Sequence, residues 1–176
     1  QPMELQSIKE KVVVERLWST NVGKGQDERY TLLEPTVNGD RVYATDIHGR
    51  VTALDRQRGK RIWQVKLNEP VSAGVGYGGG LVFVGTYNAE VIALDAEDGS
   101  ERWRARVSSE VLSPPQSNGS VVVAQSFDGS LTALDHTTGK RRWVYESTMP
   151  LLTLRGNATP LIAGSTVYAG FANGKI

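Results

Sequence analysis

Chemistry in a protein begins with side chains that can attack, ligate or carry protons, and here such groups are few. The chain has two histidines, His48 and His136, and no cysteine. The histidines stand in unrelated contexts, one in a hairpin turn and one just after an aspartate turn, without carboxylates spaced to complete a metal site. Both are expected to be solvent-exposed turn residues. Lacking cysteine, the chain has no disulfide framework, no thiolate zinc site and no thiol nucleophile. No Gly-x-Ser-x-Gly elbow occurs. The run Gly74-Val75-Gly76-Tyr77-Gly78-Gly79-Gly80 lacks the Gly-Lys-Ser/Thr ending and the following helix of a phosphate loop, so it reads as a hairpin. Asp55, Asp95 and Asp135 are the most suggestive carboxylates, yet they recur at a fixed interval. Turn chemistry repeats in that way and a single active site does not. The chain is read as non-enzymatic, with no catalytic residues, no metal ligands and no cofactor.

The interval belongs to a repeat that organises the whole chain. Trp18, Trp63, Trp103 and Trp143 are separated by 45, 40 and 40 residues. Ala-Leu-Asp recurs at 53–55, 93–95 and 133–135, each followed by a glycine (Gly59, Gly99, Gly139) and then by the tryptophan. Upstream of each copy stands a second signal: Asn38-Gly39, Gly79-Gly80 and Asn118-Gly119, each leading into an apolar run. A fourth copy begins at Ala163-Gly164-Ser165-Thr166-Val167-Tyr168. Self-similarity at this period marks a repeat architecture.

Each period reads as four short strands. In the second copy they are expected at 72–77, 81–86, 90–95 and 102–107, as β-branched and aromatic runs between glycine turn signals. In Asp-x-x-x-Gly the carboxylate can accept turn N–H groups, and the glycine supplies positive φ. Apolar runs such as Leu81-Val82-Phe83-Val84 suit strands covered on both faces, and Ala53, Ala93 and Ala133 permit close approach of neighbouring sheets. No helical periodicity spans ten positions. The fold class is all-β: a β-propeller of four-stranded antiparallel blades, with the tryptophans clamping successive blades. An aromatic binding surface is the rival role for those four residues.

Bulk properties agree. Twenty Lys and Arg against nineteen Asp and Glu leave a formal charge of +1, which argues against nucleic acid as a partner. The basic clusters at 60–61, 102–106 and 140–142 recur at one repeat position and read as solvated outer strands. No apolar stretch reaches the roughly 20 residues of a transmembrane helix. Residues 1–17 are expected to form a flexible leader, and 18–176 the N-terminal half of a propeller. That half would hold three complete blades, the start of a fourth and an outer strand, Trp18 to Val22, of a closing blade. A half-propeller presents open faces, so pairing of two such pieces is one expected behaviour.

The Ala-Leu-Asp … Gly-x-x-x-Trp pattern resembles pyrroloquinoline-quinone-type repeats, whose propellers usually have eight blades and serve both quinoprotein dehydrogenases and non-enzymatic scaffolds. Thr148-Met149-Pro150-Leu151-Leu152-Thr153-Leu154-Arg155-Gly156 lies where the spacing between the third and fourth repeats is expanded by five residues. This nonapeptide resembles a segment typical of the BamB family, scaffold lipoproteins of the outer-membrane β-barrel assembly machinery. The likeness extends along nearly the whole chain. It implies a lipid-anchored protein on the periplasmic face of the outer membrane, docked on the POTRA domains of BamA, with unfolded outer-membrane proteins as a further class of partner. The family's contact residues match Leu152, Leu154 and Arg155. The residues alone leave a second option, in which the leucines enter the core and Arg155 pairs with a blade carboxylate. The lipidated cysteine of the family is absent from this chain. Fragments of a quinoprotein dehydrogenase, or of another periplasmic binding propeller, are the competing functional readings.

Overall fold

Alternating turn signals and short apolar runs fold into a series of up-and-down sheets. The computed structural model describes residues 12–25, 27–28, 31–148, 150 and 158–176. A two-residue strand, β1 (Leu32–Leu33), precedes the first blade, which comprises β2 (Thr36–Asn38), β3 (Arg41–Thr45), β4 (Arg50–Asp55) and β5 (Arg61–Lys66). The second blade is β6 (Val71–Gly78), β7 (Leu81–Thr86), β8 (Glu90–Asp95) and β9 (Glu101–Arg106). The third is β10 (Gln116–Ser117), β11 (Val121–Gln125), β12 (Ser130–Asp135) and β13 (Arg141–Glu146). A hairpin of β14 (Leu161–Ala163) and β15 (Thr166–Tyr168) opens a fourth. Within each blade, neighbours in sequence are neighbours in the sheet and run antiparallel. The described residues contain no helix.

The strands expected at 81–86 and 90–95 have those bounds, β6 extends one residue further at each end, and β9 both begins and ends one residue early. One strand has no counterpart in the repeat: β1 pairs in parallel with β6, Leu32 opposite Ala73 and Leu33 opposite Gly74. Residues Trp18 to Val22, expected as an outer strand, form no strand and pair with no described strand. Residues 12–17 likewise form no regular element, and Val12, Val13, Val14 and Leu17 are exposed.

The second blade is covered on both sides, so its middle strands alternate between two cores. Ile92 and Leu94 join Tyr43, Val51 and Trp63 between the first and second blades. Val91 and Ala93, pointing the other way, join Phe83, Trp103, Val122 and Leu134 between the second and third. Period-two alternation with both sets apolar is what sandwiching between neighbours demands. The outer strands show the contrasting pattern: in β5 only Trp63 is buried, with Val65 half-buried, and in β9 only Trp103, with Ala105 half-buried. Each of the three four-stranded blades carries a register shift between the alanine and leucine of Ala-Leu-Asp, so that Leu54 opposes Arg61 while Ala53 opposes Trp63. Such a bulge sharpens the local twist and re-aims the tryptophan.

Candidate partner-binding surface

The aspartate turns and the tryptophans form one device, repeated from blade to blade. In the turn, Asp55 Oδ1 accepts the N–H groups of Gln57 and Arg58 at 3.0 and 2.7 Å, and Asp135 Oδ1 accepts those of Thr137 and Thr138 at 3.0 and 2.9 Å. Asp95 Oδ1 accepts Glu97 N–H at 2.7 Å. Gly59, Gly99 and Gly139 close these turns with positive φ. Their second role is contact: a Cβ built on Gly99 meets the Trp63 ring at 2.8 Å, and one on Gly139 meets Trp103 at 2.7 Å. Gly59 faces Trp18 in the same way, at 2.6 Å. Each indole N–H then donates to the carbonyl just after the turn aspartate: Trp18 to Arg56 at 2.7 Å, Trp63 to Ala96 at 3.0 Å and Trp103 to His136 at 2.8 Å. Burying an indole of roughly 200 Å² at about 25 cal/mol/Å² gives an upper bound near 5 kcal/mol per post. Trp63 and Trp103 are each packed between two blades, whereas Trp18 packs on the first-blade turn from a segment that forms no strand. Trp143 is 41% exposed, with no further Asp-x-x-x-Gly turn in the chain to receive it.

His136 departs from the expectation of a solvent-exposed turn residue. It is only 7% exposed, with Nε2 3.2 Å from Gly79 O and Nδ1 3.1 Å from Ser117 Oγ, and its ring meets Phe83 edge-on. The turn places residue 136 against the second blade, so an imidazole there is enclosed between sheets. His48 is exposed, as expected, and lies 3.3 Å from Asp27. Asp135 is held below the usual carboxylate range, first by Arg142 at 2.7 Å and then by the Thr138 hydroxyl and turn N–H groups. A carboxylate that sequence reasoning passed over is Asp46, which is buried. Burial alone would raise its pKa, but the N–H groups of Arg50 and Lys24, at 2.9 and 3.1 Å, and the Arg50 charge bring it net below its ordinary value. Among the described residues no three His, Asp or Glu side chains are grouped to hold a metal ion.

The sequence-derived contact residues Leu152, Leu154 and Arg155 lie outside the described residues, but the points where their segment leaves and rejoins the blades do not. The departure is common to all three blades. Leu67 N–H donates to Gly49 O at 2.8 Å, Val107 N–H to Ala89 O at 2.9 Å and Ser147 N–H to Gly129 O at 3.1 Å. Beyond Ser147 the period is broken by the expansion. Asn173 Nδ2 donates to Ser147 Oγ and Thr148 O at 2.9 and 3.0 Å, tying the exit to the hairpin side, and the Tyr145 ring packs on Phe171. The chain returns through Pro160, which is buried ahead of β14. The segment that carries the proposed contact therefore starts and ends at fixed positions on the third and fourth blades.

A family model described as outer membrane protein assembly factor BamB matches residues 15–64 and 47–176. The BamB of Pseudomonas aeruginosa is 67% identical over 175 residues, covering 99% of this chain and 46% of that protein. That of Kangiella koreensis is 55% identical, covering 99% of this chain and 45% of that protein. The chain thus spans about half the length of these relatives. Among solved structures, BamB from Moraxella catarrhalis matches with a TM-score of 0.76 and 30% identity, over 81% of this chain and 43% of that one. A europium-containing methanol dehydrogenase matches with a TM-score of 0.64 and 25% identity, over 77% of this chain and 27% of that one.

Proposed function

Because the chain belongs to the family of outer membrane protein assembly factor BamB, we propose that it is the propeller portion of a non-enzymatic scaffold subunit in the machinery that inserts β-barrels into the outer membrane. In this reading it docks on the POTRA domains of BamA through Leu152, Leu154 and Arg155. The full-length protein is held at the periplasmic face by a lipid anchor, and unfolded outer-membrane proteins are a further partner.

One observation carries the proposal. The segment following Ser147 is where the chain leaves its 40-residue period, and a blade template makes no demand for apolar side chains there. Two leucines beside an arginine make a compact anchor: apolar area to desolvate, flanked by a planar fork of donors suited to a carboxylate. Anchors of this type usually cost at least about 2 kcal/mol each when truncated, roughly a thirtyfold loss of affinity. In a pull-down on immobilised BamA POTRA domains, the full-length protein is retained and its Leu152→Ala/Leu154→Ala/Arg155→Ala variant is lost. Undiminished retention of the folded variant overturns the assignment of these three residues.

A further inference from the structure

The wedge between neighbouring blades, at their outer rim, occurs twice among the complete blades and is built differently each time. Between the first and second blades it is filled by Arg104. That guanidinium reaches Glu90 at 2.8 Å, Glu101 at 3.1 Å and Glu69 at 3.5 Å, and its pKa is raised. Moving forward by the 40-residue period, the same positions between the second and third blades are Val144 for Arg104, Ser130 for Glu90, Arg141 for Glu101 and Ser109 for Glu69. The filling side chain and all three of its carboxylates are replaced together. What remains is an open cleft of about 620 Å³, lined by Arg106, Val107, Thr132, Arg141, Val144 and Glu146.

Its chemistry is specific. Arg106 and Arg141 make no ion pair among the described residues, as is true also of Arg56, Arg58 and Arg61, but these two line the same cleft. Val144 is an exposed aliphatic residue where the preceding blade has an arginine. Two free guanidinium groups beside Val107 and Val144 suit a carboxylate next to an aliphatic side chain. Glu146 makes a bare polyanion a poorer match than a peptide, whose backbone N–H groups can face that carboxylate. The volume is within the range of sites that hold several residues or a small molecule.

We infer that the cleft between the second and third blades is a docking site for an extended polypeptide segment in which acidic and aliphatic residues alternate. The site is built from two blades alone and stands whether or not residues 152–155 contact BamA. It adds a second candidate contact surface, lined by the second and third blades.

The test is fluorescence anisotropy of a fluorescein-labelled Asp-Leu-Asp-Leu-Asp-Leu peptide titrated with the full-length protein. Saturable binding is expected, weakened about tenfold or more by Arg106→Gln/Arg141→Gln. Both changes are on exposed side chains, and thermal unfolding checks that the variant is folded. A second variant, Ser109→Glu/Ser130→Glu/Arg141→Glu/Val144→Arg, copies the ion cluster around Arg104 into the next wedge and is expected to abolish binding by filling the cleft. An Asn-Leu peptide of the same length is expected to bind at least about tenfold more weakly than the Asp-Leu peptide. The inference is overturned if the parent shows no saturable binding, if the first variant binds as the parent does, or if the two peptides bind alike. It is also overturned if phosphatidylglycerol vesicles, and not the peptide, bind in an Arg106- and Arg141-dependent way.

Discussion

Substituting alanine for Gly99 separates the two reasons for a glycine in the aspartate turn. The residue has φ +78°, and an added Cβ would lie 2.8 Å from Trp63 Cε3 and 2.9 Å from Val65 Cγ1. Gly39 also has positive φ, +54°, yet nothing lies within 4 Å of its added Cβ. Gly39→Ala therefore carries only the backbone term, about 1–2 kcal/mol. Gly99→Ala adds overpacking against a ring held between blades, about 1–3 kcal/mol, for a total of about 2–5 kcal/mol. Neither ring nor turn can give way freely, because the indole N–H is bonded to Ala96 O and Gly99 N–H to Asp95 O. Urea unfolding measures both costs, provided the m-value is unchanged. A mutant cycle sharpens the test: in a Trp63→Ala/Val65→Ala background, which removes both close contacts, Gly99→Ala should cost about as little as Gly39→Ala. Equal costs for Gly39→Ala and Gly99→Ala in the parent would refute the claim that tryptophan packing on the turn glycine clamps the blades.

Two further perturbations probe other turns. Asp46→Asn removes a buried carboxylate that accepts two backbone N–H groups, with an expected loss of about 1–3 kcal/mol at pH 7. Because folding depresses this pKa, its contribution is fully present above the unfolded value near 4 and is lost as pH falls through the lower folded value. Denaturant melts should thus show the parent and variant converging in acid; a gap that widened as pH fell would contradict the assignment. Ala89 holds φ +60° where the neighbouring blades have Gly49 and Gly129, so Ala89→Gly should raise stability by up to about 1 kcal/mol. A loss of thermal stability in that variant would show that the alanine side chain has a packing role.

The sequence made the blades legible because their causes are local. Glycine turn signals, apolar runs and the Asp-x-x-x-Gly turn act within a few residues, so β7 and β8 were readable to the residue. What escaped were contacts made across tens of residues. The packing of Gly99 against Trp63 joins two blades, and periodicity showed that both residues recur without showing that they touch. His136 looked like a turn residue because its neighbours in sequence are polar, whereas its neighbours in space are Gly79, Phe83 and Ser117. The parallel pairing of β1 with β6 joins a segment outside the repeat to the inner edge of the second blade, and two residues carry no pattern. Arg104 and Val144 occupy one repeat position, and only the side chains around them reveal a closed wedge in one case and an open one in the other. The segment proposed for contact is conspicuous for the opposite reason, as the place where the repeat breaks.

Proximity at that segment is the most direct test of the proposed function. A photo-crosslinking amino acid placed at Thr153, between Leu152 and Leu154, is introduced into the full-length protein and irradiated with BamA POTRA domains. The same residue at Lys60, on the exposed outer edge of the first blade, serves as the control. A covalent product with the POTRA domains from position 153 and none from position 60 is predicted. A product from position 60 alone, or from neither position while the two proteins still co-purify, would contradict docking through the segment that follows the third blade.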